Sequence, residues 1–267
     1  MGELQFARTQ MLIGDDALSA LQAAKVAVFG IGGVGGYAVE VLARCGVGEL
    51  HLIDSDRVCV TNLNRQIIAL HSTIGRLKVD VAEERIHDIN PQCKVTKYPI
   101  FYLPENAEEV DLAQFHYVVD CIDTVTAKLF LVRRCHELGV PIISSMGAAN
   151  KMDATAFKVT DIFKTTMDPL AKVMRQRLRQ WGIGRLKVVY SDEPPRTPFA
   201  ITQHTACPVA NRCSEAMTCP ENGHGVDGAD KAPRKRATPA SNAFVPAAAG
   251  LIIGGEVVKD LVARQHL

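Results

Sequence analysis

Residues 30–36 read GIGGVGG, a G-x-G-G-x-G spacing between a short apolar run and a helical pattern. Glycines at that spacing suit one task, the holding of a phosphate. Gly30 permits a tight turn, Gly32 and Gly33 let an anion approach the backbone, and Gly35 lets the following helix pack closely. The first turn of such a helix offers free N–H groups and partial positive charge. Asp54 lies about 20 residues further on, where an acid can accept from a ribose hydroxyl; Asp56 closes the same acidic strand end. Alone, this set says nucleotide and does not say which, and a Gly-rich turn holding no ligand is the plain alternative.

The next stretch, RVCVTNLNRQ at 57–66, goes beyond what a dinucleotide needs. A nicotinamide cofactor keeps its charge in a pyrophosphate that the glycine loop can manage. A nucleoside triphosphate carries more charge, and a leaving pyrophosphate more still. That calls for a planar Arg fork, a Lys, and a carboxylate to hold a metal. Arg65 and Lys78 can supply the cations, Asp123 can supply the Mg²⁺ ligand, and Asn62, Asn64 and Gln66 add neutral donors. Taken singly, Arg65 reads as a surface charge and Lys78 as part of a solvated helix face. Taken with the loop, they favour ATP with Mg²⁺.

The elements that must position these residues are legible in outline. KVAVFG (25–30), GELHLIDSD (48–56), CKVTKYPI (93–100), YVVDCID (117–123) and PIISSMG (141–147) read as strands. Helical spacing follows Gly35, runs through 75–90 and recurs at about 125–138. The alternation predicts an α/β fold with a Rossmann-like, doubly wound, mainly parallel sheet whose crevice lies at the carboxyl ends of the strands. Gly30, Asp54, Asp123 and Gly147 all fall at such ends. After residue 150 the pattern predicts an added strand at 156–165, a helix at 169–181 and a strand at 186–193. Residues 192–242 hold seven of the thirteen prolines and read as a long, mobile loop. FVPAAAGLIIGGEVVKDLVARQ then returns to helical spacing and is expected to pack back on the first part. We divide the chain into a nucleotide-binding adenylation core, 1–150, and a substrate-binding and dimerisation extension, 151–267.

At 267 residues, 47% of them hydrophobic, the chain can bury a substantial core. The net charge of +1 names no partner, so any nucleic-acid contact must be local. MGELQFARTQ lacks a signal-peptide layout, and FVPAAAGLII at 244–253 is too short and too broken to span a bilayer. Eight cysteines without a C-x-x-C pair suit reduced thiols in a cytoplasmic protein with no membrane association.

GIGGVGG, LIDSDRVCVTNLNRQ, GRLKVDVAEERIHDINP and VVDCIDT together resemble the adenylating superfamily of ubiquitin-activating and sulfur-carrier-activating enzymes. GAANKMDATAFKVTDIFKTTMDPLAKVMRQRLR and the ending FVPAAAGLIIGGEVVKDL are most similar to its tRNA threonylcarbamoyladenosine dehydratase branch. The resemblance implies an ATP-binding homodimer that adenylates a carboxylate. It implies that the glycine loop and Asp54 hold the nucleotide, Arg65 and Lys78 grip the triphosphate, and Asp123 holds Mg²⁺. Arg8, in FARTQML, matches an N-terminal arginine that the family passes to the partner subunit's ATP. The implied reaction turns the threonine carboxylate of threonylcarbamoyl-adenosine into an acyl-adenylate, and the ureido group then closes a ring. Intramolecular attack has a high effective molarity, so no enzyme nucleophile is needed.

Two regions beyond the core matter for the branch. The sulfur-carrier enzymes pair cysteines around a zinc, whereas Cys207, Cys213 and Cys219 stand at C-x5-C-x5-C, with His204 and His224 nearby, wider than metal ligands usually lie. A reduced, flexible loop is the simpler reading. Between Pro169 and Tyr190 there are six basic residues and no acid, which leaves the remainder of the chain at about −5. Helical spacing turns Leu170, Val173, Met174, Leu178 and Trp181 inward and Lys172, Arg175 and Arg179 outward, as an RNA-phosphate contact would need. KAPRKR (231–236) would extend the patch; a solvated basic face is the alternative. The runner-up function is a sulfur-carrier protein adenylyltransferase, with a sulfur-relay protein as partner. An NAD-dependent dehydrogenase or a nucleotide sensor stands further off.

Overall fold

The computed structural model describes residues 4–199 and 239–263. Two helices come first, α1 (Ala7–Ile13) and α2 (Asp15–Ala23), in a stretch that periodicity leaves unassigned. Then β1 (Lys25–Phe29), α3 (Gly35–Arg44), β2 (Glu49–Ile53), α4 (Lys78–Ile89) and β3 (Lys94–Tyr98) form two strand–helix–strand crossovers. The chain continues through β4 (Tyr117–Asp120), α5 (Val125–Leu138), β5 (Ile142–Ser145), β6 (Phe157–Asp161), α6 (Pro169–Gln180), β7 (Lys187–Ser191) and α7 (Val245–Ala263).

The sheet order is β3-β2-β1-β4-β5-β7-β6. All pairings are parallel except that of β6, which lies antiparallel on β7 at the edge. This is the expected doubly wound α/β sheet, with one feature that local pattern cannot give: β7 inserts between β5 and β6. The apolar runs in β1 and β4 are buried along nearly their whole length, as strands covered on both faces must be. By contrast, β6 exposes Lys158 and Val159, and a charged side chain suits an unpaired edge. Strand order reverses between β1 and β4, so the crevice opens above their carboxyl ends. The main core gathers Val26, Val28, Leu50, Leu52 and Val119 under α3, α4 and α7. A second cluster lies on the other face around Phe29, Val118 and Leu131, and a third packs α6 against α5 and β7.

Helix α7 returns to the first half of the chain and lies along α3. The contact depends on two glycines one turn apart: a Cβ on Gly250 would strike the Val34 carbonyl and come within 2.7 Å of the Tyr37 Cβ, and one on Gly254 would meet the Val41 Cβ at 2.6 Å. Neither obstacle is the loose end of a side chain. Gly250→Leu should therefore cost about 3 kcal/mol or more through overpacking. Thermal unfolding checks this, and an unchanged Tm would mean that α7 does not seat on α3 as described. Among the described residues no helix is long and apolar enough to cross a membrane.

Candidate functional site

The glycine loop leaves β1 at the switch point. Gly30 has φ +87°, and a Cβ there would approach the Cys121 carbonyl oxygen to 2.7 Å, so the turn runs hard against the end of β4. A Cβ on Gly35 would collide with the Gly30 carbonyl, which is the close packing expected of that glycine. A Cβ on Gly33 would lie 3.3 Å from the Pro246 ring and 3.5 Å from the Arg65 stem, so α7 and the Arg65 turn both close on the loop. Gly32 differs: the nearest atom to its Cβ position is the Gln66 amide nitrogen, 3.8 Å away. The backbone is thus bare at Gly32, directly before a helix start with no side-chain cap.

Asp54, at the end of β2, is nearly buried and ties the loop to the sheet. Its Oδ2 accepts the Ile31 N–H at 2.6 Å and its Oδ1 accepts the Asp56 N–H at 2.8 Å. Burial pushes its carboxyl above the usual aspartate range; the Lys78 charge opposes this, Asp56 adds to it, and the two N–H bonds oppose it. Lys78 opens α4 and is itself buried, with Nζ 2.7 Å from Asp56 Oδ2 and 3.9 Å from Asp54 Oδ2. The expected helix at 75–90 begins only at Lys78 because Arg57 and Leu77 form an antiparallel bridge that closes the intervening loop at its base. That loop carries Arg65 at its far end.

Arg65 is half-buried, with its Nη1 donating to the Thr61 carbonyl at 2.8 Å and to Asn64 Oδ1 at 3.0 Å. Asn64 also donates to the Ser241 carbonyl at 3.2 Å, joining this turn to the segment before α7. Asn62 is buried and its Oδ1 accepts the Cys59 N–H at 3.0 Å, so its carbonyl end belongs to the turn. Gln66 is buried beside Gly32, and its Oε1 has no hydrogen-bond partner. A buried amide oxygen without a partner next to a bare glycine backbone leaves an acceptor that a polar ligand can satisfy.

Asp123 is exposed in the loop that follows β4, with Oδ1 accepting from Thr124 Oγ1 at 3.3 Å. The strand expected over 117–123 ends at Asp120, and the reason is chemical. Asp120 is fully buried and accepts from Lys128 Nζ at 2.8 Å, Ser144 Oγ at 2.5 Å and the Ile122 N–H at 3.1 Å. These bonds turn the backbone out of the sheet and fix the loop that presents Asp123. The triad is not legible in the sequence because Asp120 sits inside an apolar strand and Lys128 reads as one more helix charge. The spacing of Lys128 from Thr124, four residues into α5 on a helix otherwise apolar at that face, was the available signal. Lys128→Met leaves a buried carboxylate unpaired and should cost about 3–5 kcal/mol; adding Asp120→Asn should recover much of it. A double variant no more stable than Lys128→Met in denaturant unfolding would show that the lost ion pair is not what destabilises it.

Beside the crevice, Asn150 (φ +61°) joins two segments: its N–H donates to the Ala240 carbonyl at 2.8 Å, its Oδ1 accepts the Ala240 N–H at 2.7 Å, and its carbonyl accepts the Arg196 N–H at 2.7 Å. Residues 192–199 and 239–242 carry no helix or strand. The expected loop centre, including Cys207, Cys213, Cys219, His204, His224 and KAPRKR, lies outside the described residues. Arg8 is exposed on α1. The Phe6 ring before it meets Gly46 beyond the carboxyl end of α3, the end opposite the glycine loop. Arg8 is thus not brought to the crevice of its own chain.

On α6, Ala171, Met174 and Leu178 form the buried stripe, while Val173 and Trp181 are 45% and 40% exposed. Lys172 and Arg179 are exposed, although the Arg179 guanidinium lies over the Phe163 ring, 5.3 Å from its centroid. Arg175 is not: it is half-buried, with Nη1 donating to the Thr165 carbonyl at 3.0 Å and to the Thr165 hydroxyl. The stripe is narrower than spacing predicts because α6 covers the end of the sheet, and Thr165 just before it draws Arg175 in. The five described cysteines are free thiols. Cys121, nearest the glycine loop, is pushed up to about 12 by burial, which argues against a thiolate nucleophile there.

This architecture, with a bare glycine loop at the switch point and cations beside it, defines a doubly wound α/β protein of the nucleotide-binding type. The ThiF family model matches residues 6–265, and the chain belongs to the ThiF family, on its tRNA threonylcarbamoyladenosine dehydratase branch. The tRNA threonylcarbamoyladenosine dehydratase of Bacillus subtilis (strain 168) is 44% identical over 259 residues, 97% of this chain and 94% of that one. The structure of Escherichia coli tRNA N6-threonylcarbamoyladenosine dehydratase, TcdA, in complex with AMP matches with a TM-score of 0.80 and 32% identity, over 98% of this chain and 96% of that one. Its complex with ATP gives a TM-score of 0.78 at the same identity and coverage. A molybdopterin-synthase adenylyltransferase of Haemophilus influenzae is 33% identical over 66% of this chain and 72% of its own length.

Proposed function

We propose that this chain is an ATP-dependent dehydratase of N6-threonylcarbamoyladenosine in tRNA. The observation that carries the reading is the 44% identity to a dehydratase along nearly the full length of both chains. In the reaction, an oxygen of the threonine carboxylate attacks the α-phosphorus of ATP and pyrophosphate leaves. The ureido group of the same nucleoside then attacks the acyl carbon, a ring closes, and AMP leaves with the carboxylate oxygen. Water is lost overall to the cleaved anhydride.

The chain's own groups have two tasks, alignment and stabilisation of phosphate charge. The Gly35 N–H, at the start of α3, and the bare Gly32 backbone meet the phosphate oxygens; the next two N–H groups, of Gly36 and Tyr37, already donate to the Gly32 and Val34 carbonyls. Asp54 accepts from the ribose; each of its oxygens keeps a lone pair beyond the N–H bond it already takes. Lys78 and the free edge of the Arg65 fork face the triphosphate, and the orphaned Gln66 Oε1 is available to an amino or hydroxyl group of the nucleotide. Mg²⁺ fits one exposed carboxylate, Asp123, together with phosphate oxygens and water, which is how this ion usually binds nucleotides. No group of three His, Cys, Asp or Glu side chains among the described residues offers a closed cage. Bound there, the ion would neutralise charge on the departing pyrophosphate. Arg8, remote from its own crevice, supports a homodimer in which it serves the partner's site.

The alternative, a sulfur-carrier protein adenylyltransferase, rests on the 33% identical molybdopterin-synthase adenylyltransferase. ATP–pyrophosphate exchange separates the two. Exchange should require tRNA bearing the threonylcarbamoyl group, and the product nucleoside should be lighter by one water in mass spectrometry. Exchange driven by a Gly-Gly-ended carrier protein and not by tRNA would overturn the dehydratase reading.

A further inference from the structure

Trp181 is the chain's single tryptophan, and it is 40% exposed where α6 ends. Its backbone N–H caps the helix by donating to the Arg177 and Leu178 carbonyls, but its ring takes no place in the buried stripe. The Arg133 guanidinium, from α5, lies 5.5 Å from the ring centroid; Arg133 also pairs with Glu137 at 2.8 Å. Leu138, at the end of α5, is 43% exposed. An aromatic face left partly in water beside Arg133 forgoes burial that the core could have supplied, and a stacking partner would supply it.

The position of this patch is set by α6. The helix is capped at its start by Asp168, whose Oδ2 accepts the Gly147 N–H at 3.1 Å at the carboxyl end of β5, on the crevice side of the sheet. It ends near Leu186 and the amino end of β7, on the far side. Twelve helical residues span about 18 Å. Lys172, Arg177 and Arg179 are exposed along that length, and no acid occurs between residues 169 and 190.

We propose that Trp181, backed by Arg133, is a stacking platform for an unpaired nucleotide of the RNA substrate, several nucleotides from the reacting one. The inference rests on the dehydratase reading and adds to it the way the RNA is held. A positive track ending in an aromatic face suits single-stranded nucleic acid, because paired bases already have both faces stacked.

The single tryptophan makes the test direct. tRNA carrying the threonylcarbamoyl group is titrated into the full chain while its binding is followed independently by anisotropy of a labelled tRNA. Trp181 emission should be quenched along the same isotherm, and a fully paired RNA duplex should leave it unchanged. Trp181→Ala should weaken tRNA binding roughly 10- to 100-fold, the range for loss of one base stack, with the KM for ATP unaltered. Trp181→Phe should retain most of the affinity, which a general loss of folding would not allow. If tRNA binds but emission does not change and Trp181→Ala binds normally, the platform is wrong and the dehydratase reading stands. If the duplex quenches as well as tRNA does, the unpaired base is wrong. If polyglutamate quenches and tRNA does not, the patch is a site for acidic protein. If tRNA does not bind the wild-type chain at all, the dehydratase reading falls and the platform with it.

Discussion

Arg65→Ala should turn over roughly 10²- to 10³-fold more slowly than the wild type, the cost of one preorganised charge-stabilising donor. The expectation follows from how Arg65 is held. Its stem packs against Gly33, and one Nη1 is spent on the Thr61 carbonyl and Asn64 Oδ1. The guanidinium is therefore fixed before substrate arrives, with the rest of its fork available to phosphate. Negative charge grows on the departing pyrophosphate during adenylation, so the loss should fall mainly on kcat and less on the dissociation constant for ATP. Arg65→Lys should rescue little, because an ammonium is a point charge on a flexible stem and cannot hold both local bonds while facing the ligand. Single-turnover rates with saturating ATP and tRNA measure the effect. Near wild-type turnover in the Ala variant would remove Arg65 from the site.

What could be read from the sequence was the part of the fold written in short-range pattern. The glycine loop, Asp54 and the strand ends obey spacing rules that act within about 25 residues, and each strand–helix unit announces itself by a change of hydrophobic period. The sheet order beyond β5 could not be read that way. Whether β6 or β7 lies next to β5 is decided by packing against α6 and α7, which no local period encodes. Buried polar groups were the second blind spot. Asp120, Lys128 and Ser144 meet only in three dimensions, across two adjacent strands and the next helix, and each is a minority residue in an apolar stretch. Arg175 shows the same limit on a smaller scale. Its helical position points outward by spacing, yet its side chain is long enough to fold back onto Thr165. Conversely, Gln66 was legible as a donor near the loop, but that its carbonyl oxygen is buried without a partner required coordinates.

Asp123→Ala should also lose roughly 10²- to 10³-fold in turnover, because we propose Asp123 as the Mg²⁺ ligand and the fold does not depend on it. Asp123 is exposed and its one side-chain bond is to its neighbour Thr124, so the Tm should move little. Asp123→Asn should behave like the Ala variant, because a neutral amide keeps the shape and loses the charge that a hard cation selects. Raising Mg²⁺ should recover part of the rate in the Asn variant and less in the Ala variant. A homodimer with Arg8 acting across the interface adds a sharper consequence. When Arg8→Ala and Asp123→Ala chains are mixed, each hybrid dimer holds one site with both residues intact and one site with neither. Statistical exchange in a two-fold dimer should then restore about a quarter of wild-type activity. If Arg8 instead served its own chain, both hybrid sites would be defective and mixing would restore nothing. Subunit exchange must be shown separately, for instance with two affinity tags on the two variants. Exchange without recovery would leave Asp123 in the site and take Arg8 out of its partner's.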